Sequence, residues 1–376
     1  MSDHIKIKNI QAYVYRVPLT KPVKSQYLKL ESRPALFVSV TDENGLHGWG
    51  EVWCNFPEYG AEHRSKLITT LVNPVLKNFE YSHPREVYEK LIDVLDLYAI
   101  QSGEIGTFAQ IISGIDIAVW DLAARRARLP LASFINSSSE LIVNCYASAL
   151  DVNNAGEATA ALVEAGHRAF KLKVGFGKEM DRKNLKQIRG AAGSESLVFV
   201  DANQRWAHAD EAASKINEIS DFDIGFVEEP LNAHSSNEEW STLSRLTSVP
   251  LAGGENIMGN KEFERYINKK LVNHLQIDVA KWGGISQGLI HAGMAQKNNM
   301  TVTPHYLGGG IGLLASSHFL AAIGGKGFQE FDANDNPLRQ FTTDGLKIHE
   351  GKLQLPNNPG IGVEPELNRI SRYLIS

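Results

Sequence analysis

Residues 197–230 read LVFVDANQRWAHADEAASKINEISDFDIGFVEEP, and this stretch decides the fold. It holds two short apolar runs, one ending in Asp201 and the other in Glu228, with a helix-length segment between them. Short buried strands that alternate with helices are typical of parallel βαβ units. The unit repeats along the chain, because apolar runs begin near residues 142, 169, 197, 224, 249, 274, 300 and 327.

The repeat predicts an α/β fold, a modified (β/α)8 or TIM-like barrel, over residues 140–335. The starts of the eight runs lie 25 to 28 residues apart, and eight strand–helix units are what such a barrel requires. A doubly wound open sheet is the competing arrangement, and the count of eight favours the barrel over it.

The two ends of the chain lack this rhythm. Strand-like runs at residues 5–17 and 35–41 are followed by helical patterns, so residues 1–135 are predicted to form an α+β capping domain. Residues 345–355 have the pattern of a hairpin. We expect the tail, residues 336–376, to pack back on the capping domain and complete it.

Composition narrows the class of protein. A net charge of −5 argues against nucleic acid as a partner, because a weakly acidic protein does not attract phosphates. The two cysteines, Cys54 and Cys145, are too few for a disulfide framework or a Cys-rich zinc site. The sequence has no apolar run of membrane-spanning length and no apolar segment at its start. We expect a cytoplasmic protein without a membrane or nucleic-acid partner.

Ionisable residues end seven consecutive predicted strands. The carboxyl ends of barrel strands converge on one mouth, where the active site lies. A single charged residue at such a place is usually a solvated surface group, but seven at the same phase of a repeat predict a shared site. The residues are Lys171 and Lys173, Asp201, Glu228, Glu255, Asp278, His305 and Glu330.

Three neighbouring strands supply carboxylates, namely Asp201, Glu228 and Glu255. Three carboxylates in one pocket repel each other, and a bound dication removes that repulsion. Oxygen ligands without cysteine or histidine indicate Mg²⁺, with Mn²⁺ possible. The alternative is a network of carboxylates with Lys or Arg across the mouth.

The remaining groups suit acid–base chemistry. Lys171 and Lys173 share one face of a strand, so each ammonium should depress the pKa of the other and make a lysine base. Asp278 and His305 follow neighbouring strands, where the carboxylate can orient the imidazole. A metal with two bases suits removal of a proton α to a carboxylate, which gives an enolate that needs stabilisation.

These residues lie in motifs that resemble the mandelate racemase group of the enolase superfamily, over nearly the whole chain. Each motif is weak alone, and together they are specific. They are residues 113–122 (SGIDIAVWDL), Lys171-x-Lys173, residues 200–203 (VDAN), 228–230 (EEP) and 254–256 (GEN), Asp278 followed by residues 281–284 (KWGG), and Pro304-His305.

The resemblance implies roles for the site residues. Asp201, Glu228 and Glu255 would bind Mg²⁺. Lys173 would be one base, with Lys171 close to the substrate carboxylate. His305, paired with Asp278, would be the opposite base or the acid. Glu330 would hydrogen-bond the enolate oxygen, although it could instead form a supporting salt bridge.

The resemblance also bears on the substrate. The muconate-cycloisomerase and dipeptide-epimerase branches carry a lysine at the position of Asp278, so they are disfavoured. Local similarity to galactarolactone cycloisomerases and other acid-sugar enzymes covers residues 173–177 (KVGFG), 308–312 (GGGIG) and 330–332 (EFD). The glycine run is expected to line the site for a polyhydroxy substrate, with a packing turn as the alternative.

In the resembled family, two loops of the capping domain choose the substrate, and here they would be residues 18–33 and 53–64. Residues predicted to contact the substrate are Lys171, Asn203, Tyr146, Trp53 and Arg64.

Three hypotheses for the function follow. The first is a Mg²⁺-dependent lyase or isomerase that acts on an acid sugar or its lactone by β-elimination, as a dehydratase or cycloisomerase. The second is a racemase or epimerase that uses Lys173 and His305 as opposing bases. The third is a catalytically silent barrel that binds metabolites. The expected partners are a small carboxylate substrate and further copies of the chain, as a dimer or octamer.

Overall fold

The computed structural model describes residues 4–24, 29–150 and 152–376. The first domain begins with an antiparallel sheet in the order β3-β2-β1-β4. Apolar side chains of this sheet pack on the helices that follow, and this contact forms the core of the capping domain. The strands are β1 (Ile5–Lys24), β2 (Lys29–Asp42), β3 (His47–Val52) and β4 (Glu80–Tyr81).

The helices of the capping domain cover this sheet. They are α1 (Gly60–Leu67), a π-helical turn (Ile68–Val72), α2 (Asn73–Leu76), α3 (Pro84–Ser102), α4 (Ile105–Ala127) and α5 (Leu131–Ile135). A capping box of His83 and Glu86 starts α3 with Pro84 in its first turn, and Gly103 with φ 72° ends it.

Helix α4 is the centre of the capping domain. Among the described residues it is the single helix long and apolar enough to cross a membrane by length and composition. Its most apolar window is 78% buried inside the protein, so packing accounts for its apolar sequence. The helix contacts the sheet on one side and the barrel helix that begins at Gly284 on the other.

The second domain is the predicted barrel. Its strands are β5 (Ile142–Ser148), β6 (Ala169–Lys173), β7 (Leu197–Asp201), β8 (Ile224–Glu228), β9 (Leu251–Gly253), β10 (His274–Leu275), β11 (Thr301–Val302) and β12 (Phe328–Asp332). Neighbours from β5 to β11 pair in parallel, and β12 pairs in parallel with β5. The Glu330 amide donates to the Pro304 carbonyl at 3.4 Å beyond β11, which completes the ring. The predicted α/β barrel with a capping domain is confirmed.

Helices alternate with these strands. They are α6 (Ala155–Glu164), α7 (Lys178–Ala192), α8 (Ala209–Asn217), α9 (Asn237–Leu246), α10 (Asn260–Lys269), α11 (Gly284–Lys297), α12 (Gly310–Ile323) and α13 (Pro337–Thr343). Inside the ring, aromatic side chains fill one layer, with the rings of Phe199 and Phe226 stacked 4.1 Å apart. The interior of the barrel at this layer is therefore a packed core, as is usual for this fold, in which sites lie at the carboxyl ends of the strands.

The C-terminal tail contacts both domains. Its hairpin, β13 (Ile348–His349) and β14 (Lys352–Gln354), extends the barrel sheet, because β14 pairs antiparallel with β5. The end of the tail lies on the capping domain, where the Val14 amide donates to the Ser376 carbonyl at 2.8 Å. The expectation that the whole tail packs on the capping domain is corrected for the hairpin, since β14 pairs with residues 142–144 at the start of β5, before β6 pairs with that strand at Ala147.

Two buried carboxylates of the capping domain hold the amino ends of barrel helices. Asp116 on α4 accepts hydrogen bonds from the Ser286 amide (2.9 Å) and hydroxyl (2.6 Å) at the start of α11. Glu51 on β3 accepts from the Gly309 amide (2.5 Å) and the Gly312 amide (2.9 Å) at the start of α12. Carboxylates are favourable at helix amino ends, where free amides and the helix dipole meet them. We call Asp116 and Glu51 the docking carboxylates.

The two predicted specificity loops are shorter than expected. Residues 18–24 and 29–33 belong to β1 and β2, which pair from Pro18 with Ser32 to Lys24 with Lys29, so the first loop is a hairpin arm. Residues 25–28 of that loop lie outside the described residues. The second loop ends at α1, which begins at Gly60.

Candidate active site

The ends of the barrel strands line one open pocket, whose empty space is about 350 Å³ with the solvent at its mouth included. Nearly all of the predicted metal ligands and acid–base residues line it. Its lining is Ala149, Lys171, Leu172, Lys173, Asp201, Asn203, Glu228, Glu255, His305, Leu307 and Glu330. Asp278 lies directly behind this surface, in contact with His305. The structure thus brings together the residues that the strand repeat indicated.

Lys171 lies between two carboxylates. Its ammonium is 2.6 Å from Glu228 Oε2 and 2.8 Å from Glu330 Oε1, and all three side chains are buried. Burial alone would lower the pKa of Lys171, but Glu228 and Glu330 hold it well above its usual value. The expected mutual depression of the two lysines is therefore corrected for Lys171, which stays charged and can bind a substrate carboxylate. Lys173 is half-buried and lines the cavity from the same strand.

Glu330 serves as the partner of Lys171. It also accepts a hydrogen bond from the Tyr306 amide at 3.1 Å. Burial alone would raise the pKa of Glu330, but Lys171 and His305 lower it, so the group is an anion. An ionised carboxylate has no hydrogen that it could donate to an enolate oxygen. The geometry therefore favours the alternative role of Glu330, a supporting salt bridge to Lys171.

Asp201 is oriented by a strained turn. The Asn203 amide donates to Asp201 Oδ1 at 2.8 Å, and Asn203 Nδ2 donates to Oδ2 at 2.9 Å. Asn203 has φ 45°, in the left-handed region that non-glycine residues rarely adopt. Although Asn203 borders the cavity, its side-chain amide is engaged with Asp201, so it positions that carboxylate.

His305 is held from behind by a carboxylate. Its Nδ1 lies 2.8 Å from Asp278 Oδ2, and Asp278 also accepts from the Ala280 amide at 2.9 Å. This leaves Nε2 facing the cavity, 2.5 Å from Glu255 Oε2 and 3.6 Å from Glu330 Oε2. Burial alone would lower the pKa of His305, but Glu255, Glu330 and Asp278 raise it well above its usual value.

The donor set at the cavity fits a hard dication. Burial raises the pKa of Asp201, and it raises that of Glu228 to about 8 although Lys171 opposes the shift. These carboxylates would be costly to ionise together in a buried site, and a dication would offset that cost. Within the described part of the chain, no three Asp, Glu, His or Cys side chains have the spacing of a metal centre. Glu255 instead faces His305, Glu228 faces Lys171, and Asp201 accepts from Asn203.

A second set of polar groups supports Glu255. Asn256 Nδ2 donates to Glu255 Oε1 at 2.9 Å and to Glu229 Oε1 at 2.9 Å, and Lys281 donates to Asn256 Oδ1 at 2.8 Å. The Lys281 ammonium lies 4.6 Å from the centre of the Trp53 ring. The sequence motifs contained Glu229, Asn256 and Lys281, but nothing in their spacing predicted this contact with a capping-domain residue.

Three residues predicted to contact substrate lie outside the cavity lining. Trp53 packs on Lys281. Tyr146 is fully buried beneath Lys171, whose ammonium is 5.3 Å from the ring centre, because its strand position faces the barrel interior. Arg64 is 3% exposed and donates to Gln110 Oε1 at 2.9 Å and to the Gly60 carbonyl at 2.7 Å. Its guanidinium is occupied inside the capping domain, so the prediction of substrate contact is corrected.

At the glycine run, residues 308–312, the backbone of the barrel domain closely approaches the capping domain. The Gly309 and Gly312 amides point at Glu51. A Cβ at Gly310 would lie 1.8 Å from Thr342 Oγ1 and 2.5 Å from the Arg339 carbonyl, so only glycine fits there. The packing alternative therefore accounts for the run.

Comparison with known proteins agrees with this geometry. Residues 9–135 match the family described as mandelate racemase / muconate lactonizing enzyme, N-terminal domain. Residues 154–369 match the enolase C-terminal domain-like family. The chain belongs to the mandelate racemase / muconate lactonizing enzyme family. The resemblance inferred from the motifs is confirmed.

Members of this family with known names or structures resemble the chain over most of its length. It is 28% identical to an arabinonate dehydratase of Saccharolobus solfataricus, over 86% of each chain. It is 25% identical to a D-galactarolactone cycloisomerase of Agrobacterium fabrum, over 98% of this chain and 99% of that one. A family member of known structure from Bordetella bronchiseptica is 38% identical with a TM-score of 0.91, over 98% and 99% of the two chains.

Proposed function

We propose that the protein is a Mg²⁺-dependent enzyme that removes the proton α to the carboxylate of an acid sugar or its lactone. β-Elimination of a hydroxide or of the lactone oxygen would follow. The observation that carries the proposal is the cavity itself, where Lys173 and His305 reach one space beside three carboxylates. The names of the similar dehydratase and cycloisomerase support the substrate class.

Mg²⁺ is the proposed cofactor, with Mn²⁺ possible, and Asp201, Glu228 and Glu255 would hold it. Members of the enolase superfamily generally use Mg²⁺. The ion would supply stabilisation of the negative charge that develops on the substrate carboxylate. Lys171, a buried cation anchored by Glu330, would bind the same carboxylate and orient it.

Proton transfer is assigned to the two remaining groups. Lys173 lines the cavity without the pair of buried carboxylates that surrounds Lys171, so it is the proposed base. Asp278 holds Nδ1 of His305, which leaves Nε2 as the atom that exchanges a proton with substrate. In an elimination, His305 would give that proton to the leaving oxygen.

The test measures exchange of the α-proton by proton NMR in D₂O. The protein is incubated with Mg²⁺ and a panel of aldonic and aldaric acids and their lactones. Wild type should lose the α-proton signal of at least one acid. Lys173→Ala and His305→Asn should lose the turnover of that acid, whereas Lys186→Ala and His208→Asn, at exposed positions, should keep it. Full activity of both site variants contradicts the assigned roles.

Racemisation or epimerisation is the second candidate, because two potential bases reach the cavity from different strands. The same NMR experiment separates it from elimination. A deuterated epimer with an intact carbon skeleton supports this candidate, and a dehydrated or ring-opened product supports the first.

We also propose that the protein is a cytoplasmic homo-oligomer. Both cysteines are free and buried, which suits a reducing compartment. Large apolar side chains at the α3–α4 corner, Leu97, Ile100 and Ile105, are 49–64% exposed and would be covered by a further copy. Light scattering after size exclusion would give the number of subunits, and a monomer at micromolar concentration contradicts the proposal.

A further inference from the structure

A side-chain amide donates to each of the three carboxylates that are proposed to bind the metal ion. The pairs are Asn203 with Asp201 (2.9 Å), Gln276 with Glu228 (2.6 Å) and Asn256 with Glu255 (2.9 Å). An amide nitrogen only donates and an ionised carboxylate only accepts, so each contact holds one carboxylate oxygen in a fixed direction. We call Gln276 and Asn256 the supporting amides, because they act on the two longer and more flexible carboxylates.

Asn256 holds one oxygen of Glu255 and leaves the other to the cavity. Its Nδ2 donates to Glu255 Oε1, whereas Glu255 Oε2 lies 2.5 Å from His305 Nε2, which faces the cavity. Lys281 donates to Asn256 Oδ1 at 2.8 Å. This contact fixes the direction of the amide, since the reverse placement would set its nitrogen against the Lys281 ammonium. Glu255 therefore presents one oxygen, Oε2, to an ion in the cavity.

Gln276 has the same effect on Glu228. Its Nε2 and the Lys171 ammonium both lie 2.6 Å from Glu228 Oε2, so this oxygen is engaged twice and Oε1 is left for an ion. Gln276 is fully buried, and its own Oε1 accepts no hydrogen bond in the part of the chain that the structure describes. Such a group is costly to bury, so the bond to Glu228 is the contact that accounts for a polar residue here.

Carboxylates that offer one oxygen each suit a small dication better than a large one. Mg²⁺ requires near-octahedral geometry with oxygens at about 2.1 Å. Ca²⁺ takes about six to eight oxygens at about 2.3–2.6 Å and often binds both oxygens of one carboxylate. Turning Glu255 or Glu228 so that both of its oxygens meet one ion would break the bond to its supporting amide. That bond therefore disfavours Ca²⁺ more than Mg²⁺.

We propose that Asn256 and Gln276 are positioning residues that make the site selective for Mg²⁺ over Ca²⁺, because they hold Glu255 and Glu228 to one oxygen each. Both amides act through a carboxylate and belong to the wall behind it. The inference rests on the ligand set of the proposed function and deepens it, since it adds a geometric reason for a small dication to the charge of the carboxylates.

The test measures the binding of Mg²⁺ and of Ca²⁺ to metal-free protein by calorimetry, without substrate. Wild type should bind Mg²⁺ more tightly. Asn256→Leu and Gln276→Met keep the approximate size of the side chain and remove the donor without changing the charge. Each should lower the ratio of the Mg²⁺ affinity to the Ca²⁺ affinity by about tenfold, as one hydrogen bond to a charged group is lost. Asn217→Leu and Gln187→Met, the same exchanges at exposed positions, are the controls and should keep the wild-type ratio.

The ratio of affinities separates this role from a structural one. Variants that weaken both ions by the same factor, or that weaken neither, overturn the proposal, and so does a wild type that binds both ions equally. Asn256→Leu also removes the donor to Glu229, so Gln276→Met, which acts on a different carboxylate, decides the question if the first variant does not fold. A wild type that binds neither ion contradicts the proposed ligand set itself. Exchange of the α-proton is measured separately, so its absence in a protein that prefers Mg²⁺ contradicts the proposed function and leaves this inference standing.

Discussion

Replacing the docking carboxylate Asp116 by asparagine should make the stability of the protein less dependent on pH. Burial raises the pKa of Asp116 from 3.8 to about 7, although hydrogen bonds from Ser286 and Ile285 oppose the shift. A carboxyl group with a raised folded-state pKa contributes stability that is fully present below its unfolded pKa and is lost as pH rises through its folded pKa. The wild type should therefore lose stability between pH 4 and pH 8 at this position.

The size of the effect follows from the shift. Each unit of pKa corresponds to about 1.4 kcal/mol, so a shift from 3.8 to about 7 costs the wild type about 4 kcal/mol above pH 7. In Asp116→Asn the amide oxygen can still accept from the Ser286 amide, and the amide nitrogen can donate to the Ser286 hydroxyl. We expect the variant to be less stable than wild type by about 1 kcal/mol at pH 4, where one good hydrogen bond is weakened. At pH 8 the variant should be the more stable protein.

The assay is urea unfolding of both proteins at pH 4, 6 and 8 in EDTA, so that metal occupancy stays constant. Asp93→Asn, an exposed position on α3, is the control and should differ from wild type by less than about 0.5 kcal/mol at every pH. A difference between Asp116→Asn and wild type that stays constant from pH 4 to pH 8 would refute the reasoning. It would mean that the amide donors at the start of α11 outweigh burial and keep Asp116 ionised.

Three further predictions concern the cavity and its surroundings. Lys171→Met should leave Glu228 and Glu330 buried without their cation and destabilise the metal-free protein by about 3–5 kcal/mol, and added Mg²⁺ should restore part of this in thermal unfolding. Asp201→Asn should weaken Mg²⁺ binding by more than about tenfold in calorimetry, because a charged ligand is lost, and unchanged affinity argues against the assigned ligand set. Arg64→Gln should destabilise the protein by about 1–3 kcal/mol while leaving KM unchanged, since its partners lie inside the capping domain. A raised KM at normal stability would restore Arg64 to the substrate site.

The sequence predicted the barrel because its strands must be buried on both faces. Such strands appear as short apolar runs, and their spacing survives even where the structure keeps only two paired residues, as in β10 and β11. The residues that follow those short strands, Asp278 and His305, still meet 2.8 Å apart. The position of a residue at the end of each strand–helix repeat, rather than the length of the strand, therefore predicted which residues form the site.

Contacts between distant segments were not visible in the sequence. The length of the hairpin arm depends on pairing of β1 with β2, which overrides the polar, proline-containing composition of residues 18–33. The burial of Arg64 depends on Gln110, 46 residues away on α4. The charge of Lys171 depends on carboxylates 57 residues away, at Glu228, and further still at Glu330. The spacing of Lys171 and Lys173 on one strand predicted that the two ammonium groups repel each other. It did not predict that Lys171 contacts these two carboxylates.

The docking carboxylates make the two domains chemically incomplete without each other. Asp116 and Glu51 are acceptors that the capping domain supplies for the free amides at the start of α11 and α12. A barrel produced alone would leave those amides exposed at the rim of its own mouth, and a capping domain produced alone would carry two unpaired carboxylates on an apolar face. Chimeras that exchange the capping domain between relatives should therefore be soluble and folded only when the donor carries an acceptor at both positions. Replacing the hairpin arm alone would leave both docking carboxylates in place, since Glu51 lies on β3 and Asp116 on α4.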